Sequence, residues 1–265
     1  MATVQPTWSK AGAYEAWVGR WSRKVAPLFV DWLGLSSGLR WLDIGCGTGA
    51  LTQAVLDRAE PQAIQGIDPS AGFVEDARLT VVDRRAKFSI GDAMALRFPA
   101  GSFDCTVSGL VLNFVPDPHA AMAEARRVTR PGGWLGAYVW DYAGEMQMIR
   151  HFWTAAAELH PAAARLDQGA SPNLFGHDEL LDCFSEAGLD KLAITGIDVD
   201  TVFRDFDDYW TPFLGGNGSA PAFVASLSPE SQVELRDLLR ARLPAAADGS
   251  IALLARAWAV RGQSR

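Results

Sequence analysis

The stretch Leu42-Asp43-Ile44-Gly45-Cys46-Gly47-Thr48-Gly49 constrains this chain more than any other part of it. A short apolar run meets three glycines at alternate positions, and helix-period residues follow through Arg58. Glycine adopts backbone angles that other residues resist, so this spacing predicts a tight turn leading from a strand into a helix. The first N–H groups of a helix have no partner within it, and open α/β sheets bind ligands at such a crossing. The rhythm is sustained. Strand-like runs at 39–44, 63–67, 87–90, 103–108 and 133–140 alternate with helical stretches at 48–58, 71–80 and 118–129. That alternation predicts right-handed βαβ units and a parallel sheet covered on both faces.

The flanks are less regular. Tyr14, Trp17, Val18, Trp21 and Val25 share one helical face, on a helix that ends near Pro27 or resumes as a second short one through Trp32. After Trp140 the pattern predicts a helix over 145–160, a loop over 161–176, a helix over 178–187 stopped at Gly188, and a strand over 192–199. Residues 200–247 read as irregular and aromatic apart from a helix over 230–242, and 251–260 reads as a last strand. There is no internal repeat, and 265 residues suit one domain with an insertion.

Bulk properties exclude some partners. A net charge of -7 argues against nucleic acid, whose readers usually carry a basic face. The pairs Arg84-Arg85 and Arg126-Arg127 read as solvated helix faces or helix C-terminal charges. Cys46, Cys105 and Cys183 form no CxxC pair, so no zinc or redox motif is expected, and no metal. An odd cysteine count suits a reducing compartment. With no apolar leader in MATVQPTWSK and no uncharged apolar run near the ~18 residues that span a bilayer, the expected location is cytoplasmic, with no membrane span. Ten tryptophans suggest aromatic-lined pockets, although bulky core packing explains them as well.

Three carboxylates carry the chemistry. The glycine turn alone also satisfies a dinucleotide fingerprint, through Gly45, Gly47 and Ala50. Asp43 separates the two readings, because a carboxylate beside that turn would repel a pyrophosphate and attract an ammonium. Asp68 follows the second strand, where a carboxylate accepts ribose hydroxyl protons; the alternative is a cap for the helix starting near Ser70. Asp92 follows the third strand and could accept from an adenine amine, or serve as a turn residue. Three acidic strand ends in this order are far more specific than any one.

The set 42–49, 66–70, 91–93, 103–118 and 127–136 resembles class I S-adenosylmethionine (SAM)-dependent methyltransferases. It is most similar to the small-molecule branch that includes ubiquinone- and menaquinone-biosynthesis enzymes, the methyltransferase type 11-like group. The resemblance implies a three-layer α/β sandwich: a Rossmann-like, mostly parallel seven-stranded sheet with an antiparallel edge strand, plus helical lid segments. It divides a single domain into a lid (1–38), a SAM-binding core (39–140) and a substrate-side part (141–265) with an insertion at 200–247 and edge strands. By the same resemblance Asp43, Gly45, Cys46, Gly47 and Gly49 hold the methionine part, Asp68 and Pro69 the ribose, and Asp92 and Ala93 the adenine. Ser108 and Gly109 line the end of strand four.

The implied reaction moves a methyl group from SAM to an O, N or C nucleophile of a small-molecule acceptor, leaving S-adenosyl-L-homocysteine. Water-excluding lids rich in aromatics suit it. The candidates are Tyr14 and Trp17, then Trp140, Tyr142 and Trp153, then Tyr209 and Trp210. Each alone suits core packing better; as a group, at least one segment is expected to cover the pocket. His151, on the helix after strand five, is the best-placed candidate base among His119, His151, His160 and His177. Asn113 is a second candidate, with a helix-start or turn role as its alternative. No Asn-Pro-Pro-Tyr or Asp-Pro-Pro-Tyr occurs, which argues against DNA adenine and protein glutamine as acceptors. An NAD-dependent oxidoreductase and a non-catalytic SAM-binding module are the rival readings. The assembly is a monomer or a homodimer.

Overall fold

The computed structural model describes residues 19–171, 174–215 and 218–265. Its helices are α1 (Arg20–Leu33), α2 (Ala50–Arg58), α3 (Ala71–Thr80), α4 (Pro118–Val128), α5 (Gln147–Leu159), α6 (His177–Glu186), α7 (Phe206–Leu214), α8 (Ser219–Ser226) and α9 (Pro229–Arg242). The strands are β1 (Arg40–Ile44), β2 (Ala63–Asp68), β3 (Ala86–Ile90), β4 (Phe103–Gly109), β5 (Thr129–Trp140), β6 (Asp190–Phe203) and β7 (Ile251–Gln263). They form one sheet in the order β3-β2-β1-β4-β5-β7-β6, mostly parallel with antiparallel edge strands and flanked by helices. Two compact units divide the chain.

The unit made of Ser22–Val139, Phe175–Ile197 and Ala257–Arg265 is built on the sheet. Period-two alternation along β5 assigns its faces. Leu135, Ala137 and Val139 join a core with Met122, Ala125 and Val128 of α4 and Leu180 and Phe184 of α6. Gly136 and Tyr138 point the other way and receive α1, with Phe29 4.8 Å from Tyr138 between ring centroids. A Cβ on Gly136 would meet the side chains of Leu33 and Phe29 at 3.0 Å, so a larger residue there would force both to shift. Burying each such Leu or Phe contributes about 1.5–3 kcal/mol.

The other unit contains Trp140–Leu174 and Asp198–Arg256 with residues through Trp21. Its core is aromatic: Phe152 stacks on Phe213 at 4.5 Å, and Phe223 packs on Trp153 at 5.7 Å. The Arg20 guanidinium lies 4.4 Å from the Trp21 ring and 4.8 Å from Phe203, and pairs with Asp208 at 3.0 Å.

Several expectations need correction. Pro27 does not end the first helix; α1 runs through it. Proline removes an N–H and crowds the carbonyl four residues earlier, but the buried stripe Val25, Ala26, Phe29, Val30 and Leu33 holds the helix together. The expected irregular segment 200–247 holds two further helices, α7 and α8. Phe206, Tyr209, Trp210 and Phe213 are a helical stripe, capped where Asp205 accepts from the Asp208 N–H at 2.8 Å. Pro221 lies in the first turn of α8, where no N–H partner is lost.

Strand β5 starts at Thr129, not 133, because its pairing with β4 jumps from Phe103–Thr129 to Cys105–Trp134 and absorbs Pro131 and two glycines in an irregularity. Short 3-10 turns at Pro161–Leu166 and Gln168–Ala170 occupy the expected loop. Arg84-Arg85 is not on a helix: α3 is already capped at Val81, and Arg85 pairs with Asp83 at 2.7 Å. Arg126 and Arg127 do close α4, and Arg127 also donates to the carbonyls of Leu96 and Phe98 at 2.8 Å. Among the described residues, no helix is long and apolar enough to cross a membrane.

Candidate functional site

Parallel register brings the carboxyl ends of four neighbouring strands level. Asp43 on β1 stands opposite Gly66 on β2 and Val107 on β4, and Asp68 on β2 opposite Ile90 on β3. The glycine turn leaves β1 at this end. Gly45 has φ +72°, and a Cβ there would meet the Val111 side chain at 2.4 Å. Gly45→Ala should therefore lower the thermal midpoint measurably; an unchanged midpoint would show that Val111 yields freely.

The amides of the turn are already engaged. Gly45 and Cys46 donate to the Ile67 carbonyl at 2.8 and 2.9 Å, Gly49 donates to Cys46 at 2.8 Å, and Gly47 donates to Asp68 Oδ2 at 3.1 Å. Gly49, at φ 89°, caps α2 without a side-chain bond.

Asp43, on β1, is completely buried. Its Oδ2 accepts from Thr52 Oγ1 at 2.7 Å, while its Oδ1 has no partner. Burial, helped by the nearby Asp68 charge and opposed by the Thr52 hydrogen bonds, raises this carboxyl to about 7. Asp68 is also buried and raised by burial, held back by N–H donors from Ser70 (2.9 Å) and Gly47 (3.1 Å). Cys46 is also buried, and burial with the Asp43 and Asp68 charges keeps its thiol protonated. Asp92 is exposed, accepts from the Met94 N–H at 2.9 Å, and follows Gly91, which donates to the Asp68 carbonyl at 3.1 Å. Pro69 is exposed and Ala93 half-buried. Ser108 Oγ donates to the Ile44 carbonyl at 3.0 Å, tying β4 to β1. A Cβ on Gly109 would strike the Tyr138 hydroxyl at 2.5 Å, and the next residue, Leu110, has φ +64°. A left-handed leucine costs about 1–3 kcal/mol, which the surrounding structure must offset.

The structure thus gathers Asp43, Gly45, Cys46, Gly47, Gly49, Asp68, Asp92 and Ser108 at one end of the sheet. It adds a residue that the sequence pattern did not single out: Arg23 on α1 reaches Thr48 Oγ1 at 3.4 Å and brings a guanidinium to the turn. The helix was read for its apolar spacing, and its basic residues carried no motif.

Asn113 follows β4 in a 3-10 turn, and its side-chain carbonyl accepts from the Phe175 N–H at 2.9 Å. His151 is half-buried on α5 and lines a cleft with Gln147, Thr154, Arg242 and Leu243; burial lowers its pKa. Trp140, Tyr142, Trp153, Tyr209 and Trp210 are all buried. Tyr14 and Trp17 lie outside the described residues. Among the described residues no group of three His, Cys, Asp or Glu could hold a metal ion.

Residues 42–137 match a family model described as a methyltransferase domain. The chain is 32% identical over 194 residues to 2-methyl-6-phytyl-1,4-hydroquinone methyltransferase of Synechocystis, a match covering 71% of this chain and 59% of that protein. It is 35% identical over 116 residues to ubiquinone biosynthesis O-methyltransferase of Aromatoleum aromaticum, covering 42% of this chain and 49% of that protein. The chain therefore spans about half to three fifths of these curated relatives. In fold it is similar to phosphoethanolamine N-methyltransferase 2 of Haemonchus contortus, solved with SAM, at a TM-score of 0.58 and 16% identity over 96% of this chain and 56% of that one.

Proposed function

We propose that this chain transfers a methyl group from SAM to a small-molecule acceptor, leaving S-adenosylhomocysteine. The observation that carries the reading is the unpartnered Oδ1 of the fully buried Asp43, beside a second buried carboxylate. A buried, half-satisfied carboxylate suits a cationic guest. A diphosphate suits the turn badly. It would add negative charge to two carboxylates, and the amides of residues 45, 46, 47 and 49 already have acceptors. The structure therefore favours an amino-acid ammonium over the phosphates that an NAD-dependent reading needs.

In this proposal Asp43 meets the ammonium, and Arg23 with the open first turn of α2 meets the carboxylate. Each Asp68 oxygen has one N–H donor and room for a ribose hydroxyl. Asp92 and Ala93 take the adenine edge. Cys46, Pro69, Ser108 and Gly109 shape the walls between them. When bound, SAM supplies an electrophilic methyl on a sulfonium. The chain's own part is to hold the acceptor in line and exclude water. Asn113 uses its oxygen on Phe175 and has no basic nitrogen, so it is not proposed as a proton acceptor. The names of the sequence relatives make hydroquinones the first acceptors to screen.

Calorimetry tests the cofactor assignment. SAM should bind and NADH should not. Asp68→Ala should cost SAM on the order of a hundred-fold in affinity through two lost charge-assisted hydrogen bonds, with Asp68→Asn between the two. Unchanged SAM affinity in both variants would remove Asp68 from the ribose. SAM binding with no methylated product across the screen would favour a non-catalytic module.

A further inference from the structure

The three most exposed large apolar side chains among the described residues are Val82 (88%), Leu79 (73%) and Ile90 (62%). All three fall within twelve residues, from the end of α3 to the end of β3. Strand β3 is the outer strand of the sheet. Scattered exposed leucines need no explanation, whereas clustering at one edge does.

The same segment is basic. Residues 78–90 contain Arg78, Arg84, Arg85 and Lys87 against a single carboxylate, Asp83, in a chain whose net charge is -7. Arg85 grips that carboxylate through Nε at 3.0 Å and Nη2 at 2.7 Å, and its side-chain bonds hold the Asp83 carboxyl down at about 2. Arg78, Val82, Asp83, Arg84, Lys87 and Phe88 line one groove. Arg84 and Lys87 are exposed. The acids that flank the segment are Glu75 and Asp76 on α3 and Asp92 after β3, and Asp57 and Glu60 also act on Arg85, so Arg84 and Lys87 are two exposed cations that the apolar tips stand beside.

Apolar tips interspersed with long cations suit the surface of an anionic bilayer, where side chains enter the headgroup layer and cations meet phosphates. A partner strand is the less apt occupant. β3 is only five residues long and carries an exposed lysine, the arrangement by which sheet edges resist strand addition. We propose that this edge docks peripherally on anionic lipid, with Leu79 and Val82 entering the headgroup layer and Arg84 and Lys87 paired with lipid phosphates. Nothing in it depends on the cofactor or the acceptor.

The test is co-sedimentation of the full chain, without cofactor, with phosphatidylcholine vesicles and with vesicles of phosphatidylcholine and phosphatidylglycerol. Binding to the anionic vesicles should exceed binding to the neutral ones about ten-fold at low salt, and most of it should be lost near 0.5 M salt, where the Debye length is roughly 4 Å. The pair Leu79→Glu with Val82→Asp should reduce it about ten-fold, as should Arg84→Glu with Lys87→Glu. These side chains are exposed, so folding should hold, and matched melting curves check that. Val233→Asp, at a half-exposed valine on α9, should change nothing. Absent binding, equal binding to both vesicles, or wild-type binding by the paired variants would overturn the proposal. So would a concentration-dependent dimer in light scattering that Val82→Asp abolishes while vesicles stay unbound, which would assign the edge to a second copy.

Discussion

Replacing Asp43 by asparagine should make the ligand-free protein more stable at pH 8 while removing most of its affinity for SAM. Burial raises this carboxyl from 3.8 to about 7. Between those values the folded chain holds a proton that the unfolded chain has released. The contribution of Asp43 to stability is therefore fully present below about pH 4 and is lost as pH rises through about 7. Above that the fold carries a buried anion, a penalty of at most about 4 kcal/mol for roughly three pH units. Asparagine removes the penalty and keeps an oxygen for the Thr52 hydroxyl, bonded at 2.7 Å in the parent. Denaturant titrations should show the variant gaining over the parent between pH 5 and pH 8. A gap that does not widen would show that Asp43 is already ionised at pH 5. In the parent, SAM affinity should rise over the same range, because the carboxylate that meets the ammonium must first lose its proton.

Tyr209→Ala should cost about 3–5 kcal/mol, the range for deleting a large buried aromatic, against about 1 kcal/mol for Tyr209→Phe. Tyr209 is fully buried, packs on Phe203 at 5.3 Å and Phe213 at 5.4 Å, and donates to the Met148 carbonyl at 2.9 Å. Its sequence position suits a lid, but its surroundings are those of a core. Unfolding midpoints read beside acceptor turnover separate the two roles. Loss of turnover at an unchanged midpoint in the alanine variant would return Tyr209 to the pocket.

These two residues also mark how far the sequence could be read. The neighbourhood of Asp43 was legible because a strand, a glycine turn and a helix fall within some twenty residues, and parallel pairing then brings Asp68 and Asp92 to the same end. The engagement of the turn's own amides was not legible. It depends on the Ile67 carbonyl and Asp68 lying over Gly45–Gly47, a matter of three-dimensional register. Around Tyr209 the failure was local. The stripe Phe206, Tyr209, Trp210 and Phe213 has helical spacing, but Pro212, Gly215, Gly218 and Pro221 so close by read as loop chemistry. Tertiary burial of the aromatics overrode those breakers, as the α1 stripe did at Pro27. Arg23 was missed because a long flexible cation reaches its target from any of several backbone positions.

The strand order has a consequence for how the chain is made. β7 lies between β5 and β6, yet it follows every other described strand in sequence. During synthesis β6 therefore leaves the ribosome with no strand beside it, and the flank of β5 stays open as well. Both wait for residues 251–263, the part of the sheet translated last. Until then the nascent polypeptide exposes two adhesive borders, so a pause in translation shortly before Ile251 is the moment when a chaperone would matter most.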